Sequence, residues 1–222
     1  QFRIIKKNKE IRWIESDGIK IDWNGEDATL LFAIDITDRK ATEEKILYLS
    51  YFDQLTGLYN RRFYEEELKR IDTKRNLPLT LVMADVNGLK LTNDAFGHVS
   101  GDKLLKAVAD IMKNELRSDD VLARIGGDEF VILLPKTDRL VAQLIVSRIK
   151  DKISNAVINE ISASVSFGLD TKIEEYEDME KIFSQAEDHM YKRKLLESNS
   201  TKSEMITLIT RSLYERDKDE QL

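Results

Sequence analysis

Glycines are concentrated in the middle of this chain of 222 residues, where together with nearby acidic residues they could hold a phosphorylated ligand and a metal ion. Six of the nine glycines lie between Gly57 and Gly127. Glycine lets the backbone approach a ligand closely, and carboxylates at strand ends commonly bind magnesium and phosphates in open α/β sheets. Polar residues close to these glycines include Asp85, Asn93, Asp94, His98, Asp102, Asp128 and Glu129.

The segment 126–129, Gly-Gly-Asp-Glu, lies between two apolar stretches. Two glycines between strands are by themselves typical of a hairpin turn. A turn does not require two adjacent acids followed by Phe130, nor does it explain Asp85, which ends another apolar stretch. If the two strands are neighbours, Asp85 and Asp128 meet at one edge of the sheet. They would then form a pair of oxygen ligands for magnesium, with substrate phosphates completing its shell.

The elements around these residues indicate an α/β fold with a mixed sheet flanked by helices. Helices are predicted at 61–71, 99–116, 138–153 and 179–196, and strands at 79–86, 121–125, 130–134 and 161–167. The residues of the third helix that are predicted to face inward are Leu140, Leu144, Ile145, Ile149 and Ile153.

The N-terminal part is predicted to be a β meander with strands at 12–15, 19–23 and 29–36 and turns at Asp17-Gly18 and Asn24-Gly25. Trp13 and Trp23 are expected in a core or interface rather than in a ligand cage. A linker helix is predicted at 38–52, and a further helix at 199–222.

The composition excludes several classes of protein. The chain has no Cys and two His, which argues against a disulfide framework, a thiolate metal site or a His-rich zinc centre. A net charge of −6 argues against binding a nucleic-acid polymer. No apolar run reaches the ~18–20 residues of a membrane span, so we expect a soluble, cytoplasmic piece without membrane contact. Because it opens on Gln1 and stops within a helical pattern, we expect a longer parent, which could itself be membrane-anchored.

Four ordered motifs resemble one family. Residues 124–130, Arg-Ile-Gly-Gly-Asp-Glu-Phe, resemble the signature of GGDEF-domain diguanylate cyclases, which join two GTP into cyclic di-GMP. The segments 53–61, 85–90 and 93–102 resemble the family's entry motif, its metal and phosphate loop and its guanine-binding segment. The resemblance covers about residues 50–196. It implies a palm-like, nucleotide-cyclase-like fold with the signature on a hairpin.

The resemblance also implies roles for individual residues. Magnesium, with manganese as a substitute, would be held by Asp85, the carbonyl of Val86, Asp128 and Glu129, and the catalytic carboxylates would be Asp128 and Glu129. The substrate-binding residues would be Gly88, Leu89, Lys90 and Lys194 for the phosphates, Asn93 and Asp102 for guanine, and His98 beside the nucleotide. For His98 the alternative is packing in a turn, and for Asn93 and Asp102 it is helix capping.

The implied reaction is attack by the 3′-hydroxyl of one GTP on the α-phosphate of another, with pyrophosphate leaving. One domain holds one GTP, so the resemblance implies a homodimer whose two domains face each other. Arg117 and Asp120 match the family's inhibitory site for cyclic di-GMP, and a solvated turn is the alternative. Two residues depart from the family pattern: Asn87 replaces a more usual Asp, and Ser198 replaces a usual Arg.

The flanking segments resemble other signalling modules. Residues 1–37 are interpreted as the C-terminal part of a PAS-like sensor, 38–52 as a linker helix, 53–198 as the GGDEF domain, and 199–222 as a helix leading into a missing HD-GYP-like domain. Two alternatives stay open. One is a weakly active or inactive domain that binds GTP or cyclic di-GMP and controls an attached phosphodiesterase. The other is an enzyme with an adenine-containing product, against which Asp102 argues.

Overall fold

A computed structural model describes residues 1–158 and 161–197 of the chain. The chain forms two compact units, Gln1–Ser50 and a second that begins at Tyr51. Among the described helices, none is both long and apolar enough to cross a membrane. The helix predicted at 199–222 lies outside the described residues.

The first unit contains a three-stranded antiparallel sheet of β1 (Phe2–Ile5), β2 (Ile11–Trp23) and β3 (Glu26–Asp35). The predicted turn at Asn24-Gly25 is confirmed, and both residues have the positive φ that such a two-residue hairpin needs. The predicted turn at Asp17-Gly18 is wrong because β2 runs through it, with Gly18 opposite Leu31. Strand β1 was not predicted.

The helix predicted at 38–52 is confirmed as α1 (Thr37–Tyr51). None of the residues of α1 is buried, so its apolar side chains, including Ile46 and Leu49, are exposed. Trp23 is not in the core of its unit, since 66% of its surface is exposed. Trp13 is half-buried in the same sheet.

The second unit is built on a mixed sheet, as predicted. Its five strands are β4 (Tyr59–Asn60), β5 (Leu79–Val86), β6 (Val121–Arg124), β7 (Glu129–Leu134) and β10 (Val165–Lys172). Their order is β10-β5-β7-β6-β4, and within this sheet β4 alone pairs in parallel with its neighbour. The predicted strand at 161–167 is interrupted: β9 (Ile161–Ser162) pairs with β8 (Val157–Ile158), and β10 continues to Lys172.

Within the described part of the chain, five longer helices cover this sheet. They are α2 (Arg61–Ile71), α3 (Leu89–Phe96), α4 (His98–Glu115), α5 (Arg139–Ser154) and α6 at residues 179–197. Helix α3 was not predicted. The inward face of α5 was predicted correctly for Ile145, Ile149 and Ile153, which are buried, and wrongly for Leu140 and Leu144, which are 73% and 70% exposed.

Alternating residues of the central strands fill two cores. Val82, Ala84 and Phe130 face the core that includes residues of α4 and α5, while Leu81 and Val131 face the core that includes residues of α2 and α6. Because β5 and β7 are buried on both faces, their ends are fixed in position. This rigidity places the polar residues that follow the strands.

Helix α6 lies close against β10 at one glycine. A Cβ on Gly168 would overlap the backbone of Ala186 and Met190. The absence of a side chain at this position therefore sets the separation between the helix and the strand.

Candidate active site

The predicted meeting of the two acidic strand ends is confirmed by the pairing of β5 with β7. Asp85 lies directly opposite Glu129, so their side chains share one face of the sheet. The N–H of Val86 donates to the carbonyl of Asp128 at 2.9 Å, which closes the pairing at this edge. The Glu129 carboxylate bends back over Gly126, where any Cβ would overlap it. A side chain at position 126 would therefore displace the Glu129 carboxylate from this position.

Two arginines hold the tip of the signature hairpin. The guanidinium of Arg124 donates to the carbonyl of Gly127 at 2.7 Å and to both carboxylate oxygens of Asp53 at 3.0 and 3.2 Å. Arg61 donates to the carbonyl of Ile125 at 3.0 Å. Sequence reasoning assigned no role to these residues, although Asp53, Arg61 and Arg124 all lie within the quoted motifs. Their charges and their places within the motifs could have suggested that they pair with one another or with the backbone of the hairpin.

Asp53 is itself held in a tight turn. Its carboxylate accepts from the N–H of Thr56 at 2.9 Å and from the Thr56 hydroxyl at 2.7 Å. Burial by itself would raise the pKa of Asp53, but the hydrogen bonds from Thr56 and the charge of Arg124 outweigh it and lower the pKa below its usual value. The charged form of Asp53 therefore stabilises the attachment of the hairpin tip.

Lys194 joins the acidic pair from α6. Its Nζ lies 2.5 Å from Oδ2 of Asp85 and 4.0 Å from Oδ2 of Asp128. The predicted phosphate contact is thus adjacent to the predicted metal ligands. When no ligand is bound, this ammonium can neutralise the carboxylate of Asp85. When a metal ion binds that carboxylate, the ammonium can bind phosphate instead.

Asp85 is the buried member of the acidic group, with 3% of its surface exposed. Its Oδ1 has no hydrogen-bond partner among the described residues, while Oδ2 accepts from Lys194. Burial raises the pKa of Asp85 to about 6, helped by the charges of Asp128 and Glu129 and opposed by Lys194. A buried carboxylate oxygen without a partner is costly for the protein alone and suits a bound cation.

The donor set fits magnesium that is shared with a substrate. No three His, Cys, Asp or Glu side chains form a metal cluster within residues 1–158 and 161–197. Magnesium commonly takes one or two carboxylates and completes its shell with water and substrate phosphates. Asp85 and Asp128 supply such a pair of hard oxygens, and Val86 and Glu129 are their direct neighbours.

The predicted phosphate loop leads into α3. Gly88 has φ of +74° and precedes the first helical residue, Leu89. The first N–H groups of a helix have no partner within it and favour anions, which applies here to Leu89 and Lys90. The side chain of Lys90 is exposed. These three residues therefore present donors next to the end of β5.

The predicted guanine-binding residues lie on two successive helices. Asn93 is in α3, His98 begins α4, and Asp102 lies within α4. Oδ1 of Asn93 is buried without a partner in the described part of the chain and lies against Gly101, the residue before Asp102. The capping alternative is wrong for both residues, because no described side chain caps α4 and its cap position is Gly97. His98 and Asp102 are exposed.

Asn87 lies behind the acidic group rather than in it. Its Nδ2 donates to Oγ of Ser164 at 3.0 Å and to Oγ of Ser166 at 2.9 Å, and the residue is buried. Ser166 in turn donates to Glu197 at 2.7 Å. These contacts were not predicted. Ser198, the second departure from the family pattern, lies outside the described residues.

The Arg117–Asp120 turn lies at the opposite end of β6 from the signature. Oδ2 of Asp120 accepts from the N–H of Arg117 at 2.8 Å, and burial raises the pKa of Asp120. Clefts of about 310 and 490 Å³ adjoin this turn, and both are lined by Tyr59, Arg117, Ser118 and Asp120. The Arg117 side chain is exposed. The turn is closed by a local hydrogen bond, as in a simple surface turn, and its guanidinium is exposed to solvent, where it could bind a ligand.

The family model described as the diguanylate cyclase GGDEF domain matches residues 50–200. The chain belongs to the GGDEF family. The match begins at the boundary between the two compact units and includes every residue of the acidic group.

Proteins similar to this GGDEF chain have been named for opposite reactions. Diguanylate cyclase DgcM of Escherichia coli (strain K12) is 30% identical over 189 residues, which are 82% of this chain and 45% of DgcM. Cyclic di-GMP phosphodiesterase PdeR of the same strain is 32% identical over 164 residues, 72% of this chain and 25% of PdeR. The chain therefore spans less than half of the length of either relative. The crystal structure of diguanylate cyclase SiaD with its activator SiaC, from Pseudomonas aeruginosa, has a TM-score of 0.61 at 31% identity and covers 72% of this chain and 65% of that one.

Proposed function

We propose that the GGDEF domain is an active, magnesium-dependent diguanylate cyclase that condenses two GTP into cyclic di-GMP and two pyrophosphates. The observation that carries this proposal is Asp85: a buried carboxylate with one oxygen unpaired among the described residues, placed opposite Glu129 and next to Lys194. Such an arrangement is costly unless a cation completes it. The intact carboxylates at Asp128 and Glu129 support turnover rather than binding alone.

In the proposed mechanism, Asp85, the Val86 carbonyl, Asp128 and Glu129 would hold magnesium. When bound there, magnesium would neutralise charge on the phosphates. Lys194 and the N–H groups of Gly88, Leu89 and Lys90 bind the triphosphate and orient the α-phosphorus.

In this proposal the carboxylate of Glu129 accepts the proton of the attacking 3′-hydroxyl. Asn93 and Asp102 read the guanine edge, because a carboxylate accepts from the ring N–H and exocyclic amine that adenine does not offer together. His98 flanks the nucleotide. Since one domain holds one GTP, the active form in this proposal is a homodimer with the two sites facing each other.

The likeness to PdeR supports a second candidate. In this candidate the GGDEF domain binds GTP or cyclic di-GMP with little turnover and regulates an attached phosphodiesterase. The proposal for the flanks is unchanged: residues 1–37 end a PAS-like sensor, 38–52 are a linker, 53–198 are the GGDEF domain and 199–222 lead into an HD-GYP-like domain. Arg117 and Asp120 are proposed to bind cyclic di-GMP as a product inhibitor.

The test is to incubate the chain with GTP and magnesium while following pyrophosphate and the nucleotide product. Cyclic di-GMP formation supports the cyclase, and binding of GTP without product supports the regulatory domain. ATP in place of GTP tests base choice. Asp102→Ala should reduce the preference for GTP over ATP by roughly tenfold, because the base edge loses a charged acceptor. An unchanged preference would remove Asp102 from the guanine site.

A further inference from the structure

A chain of hydrogen bonds runs behind the acidic group and reaches the last described turn of α6. It begins at Asn87, just after β5, passes through the Ser166 hydroxyl on β10 and ends at Oε2 of Glu197. The other oxygen of Glu197, Oε1, lies 2.5 Å from Nζ of Lys150 on α5. Four elements are thereby tied together at one point.

The proton of Ser166 determines the direction of this chain. A hydroxyl carries one proton, and Oγ of Ser166 lies 2.7 Å from Oε2 of Glu197 but 3.1 Å from Oδ1 of Asn87. The proton therefore goes to the carboxylate of Glu197. Ser166 then accepts from Nδ2 of Asn87 at 2.9 Å, and the same amide also donates to Ser164. The network requires a donor at position 87.

An aspartate at position 87 would not supply this donor. The new carboxylate and that of Glu197 would compete for the single proton of Ser166, and one of them would lose its hydrogen bond from Ser166. Lys150 pairs with Glu197, whereas a new charge at the buried position 87 would have to be accommodated without the amide donor. The amide of Asn87 is thus chemically matched to the carboxylate of Glu197.

Glu197 lies three residues after Lys194 on the same helix, so the two side chains share one face of α6. Lys194 contacts Asp85, and Glu197 contacts the position two residues beyond Asp85 through Ser166. Holding Glu197 therefore fixes the last described turn of α6 next to the end of β5. The attachment therefore supports the turn of α6 that carries Lys194.

We propose that Asn87, Ser166 and Glu197 are positioning residues that hold Lys194 at the triphosphate site, and that Asn87 and Glu197 form a matched pair. This inference rests on the proposed function for the part that concerns the nucleotide. The pairing itself concerns the folded chain and can be measured without any nucleotide.

The experiment compares Asn87→Asp, Glu197→Gln and the double variant with the wild-type chain. Calorimetry gives the affinity for GTP with magnesium, and urea unfolding gives the free energy of each variant. Asn87→Asp should weaken GTP binding roughly tenfold. Adding Glu197→Gln to it should restore affinity to within about threefold, because glutamine supplies the missing donor and removes the second charge. Glu187→Gln, an exposed carboxylate on the same helix, is the control and should change neither quantity.

The rescue distinguishes positioning from a general loss of stability. If the double variant binds GTP no better than Asn87→Asp, or if Asn87→Asp binds as the wild type does, the inference is wrong. If the wild-type chain does not bind GTP, the proposed function fails and the role of the network in nucleotide binding fails with it. The pairing of Asn87 with Glu197 can still be tested in that case. If the effects of Asn87→Asp and Glu197→Gln on the free energy of unfolding add up in the double variant, the matched pair is also wrong, whereas strong non-additivity would support it.

Discussion

The two ends of strand β6 are built by different kinds of contact. At the end that follows Arg124, the hairpin tip is held by residues distant in sequence, with Asp53 and Arg61 reaching it from the start of the unit. At the end that precedes Val121, Asp120 closes the turn by accepting from the N–H of Arg117, three residues away. A site made by distant contacts depends on the whole fold, whereas a local turn persists with few supports.

This difference has a functional consequence. The acidic group leaves Asp85 buried with a raised pKa in spite of its contact with Lys194, so the charged form of Asp85 is disfavoured until a metal ion binds. The Arg117–Asp120 turn leaves its guanidinium exposed and its carboxylate satisfied, which suits reversible capture of a charged ligand. The two ends should therefore respond independently to substitution.

The largest expected effect is at the acidic end. Asp128→Asn removes a proposed metal ligand, so pyrophosphate release from GTP should fall more than about 100-fold. The free energy of unfolding should change little, because Asp128 is partly exposed at a hairpin tip. Asp119→Asn, an exposed acid in the other turn, is the matched control. Undiminished turnover in Asp128→Asn would remove Asp128 from the mechanism.

The converse change is at the other end of the strand. Arg117→Ala should weaken cyclic di-GMP binding roughly 10- to 150-fold, since charge-assisted pairs contribute about 1.5–3 kcal/mol. GTP binding should be retained, as should cyclic di-GMP binding by Asp128→Asn. Titrations of both ligands into both variants check this independence. Equal cyclic di-GMP affinity of the wild type and Arg117→Ala would favour the solvated turn.

The cost of burying the Asp85 charge can be measured from the pH dependence of the free energy of unfolding. The pKa of Asp85 is raised to about 6 in the folded chain, so the folded state binds more protons than the unfolded state between pH ~4 and ~6. Without metal, stability should fall as the pH rises through this window. Asp85→Asn should abolish that fall. The free energy of unfolding of the variant, relative to that of the wild type, should therefore be about 2 kcal/mol higher at pH 7.5 than at pH 4.5. Parallel pH profiles of the two chains in urea would contradict the assignment.

The smallest expected effect concerns the support of the hairpin tip. Asp53 has a lowered pKa, so its contribution to stability is present above pH ~4 and is lost as the pH falls through its folded value. Asp53→Asn should lower the free energy of unfolding by about 1 kcal/mol at pH 7. Urea titrations at pH 7 and pH 3 should show a larger difference between the chains at the higher pH. A constant difference would mean that the charge on Asp53 is not what stabilises the tip.

The sequence predicted the chemistry of the site better than its supports. The convergence of Asp85 and Asp128 followed from two apolar strands that end in acids, and adjacent strands require it. The bond from Arg124 to Asp53 joins residues 71 apart, and the network from Asn87 to Glu197 also joins distant residues, so no local pattern encodes either. Long-range partners of polar groups depend on how the elements pack.

Errors elsewhere have similar causes. Asp17-Gly18 has turn composition, but Leu31 on the neighbouring strand packs where a side chain at Gly18 would lie, so the strand continues. Leu140 and Leu144 fit a helical stripe but lie on the exposed side of α5, because Ala142 and Ile149 mark the face that meets the sheet. In each case tertiary packing determined which of two local patterns was used.

The size of the residue at position 168 determines how closely α6 can pack against β10. A methyl group there would act as a spacer beneath Ala186 and Met190 and would push the helix away from the strand. Lys194 is carried on the same helix, one turn beyond Met190, so its ammonium would move away from Asp85. The position of the Lys194 ammonium thus depends on the absence of a side chain at Gly168, which lies 26 residues earlier in the chain.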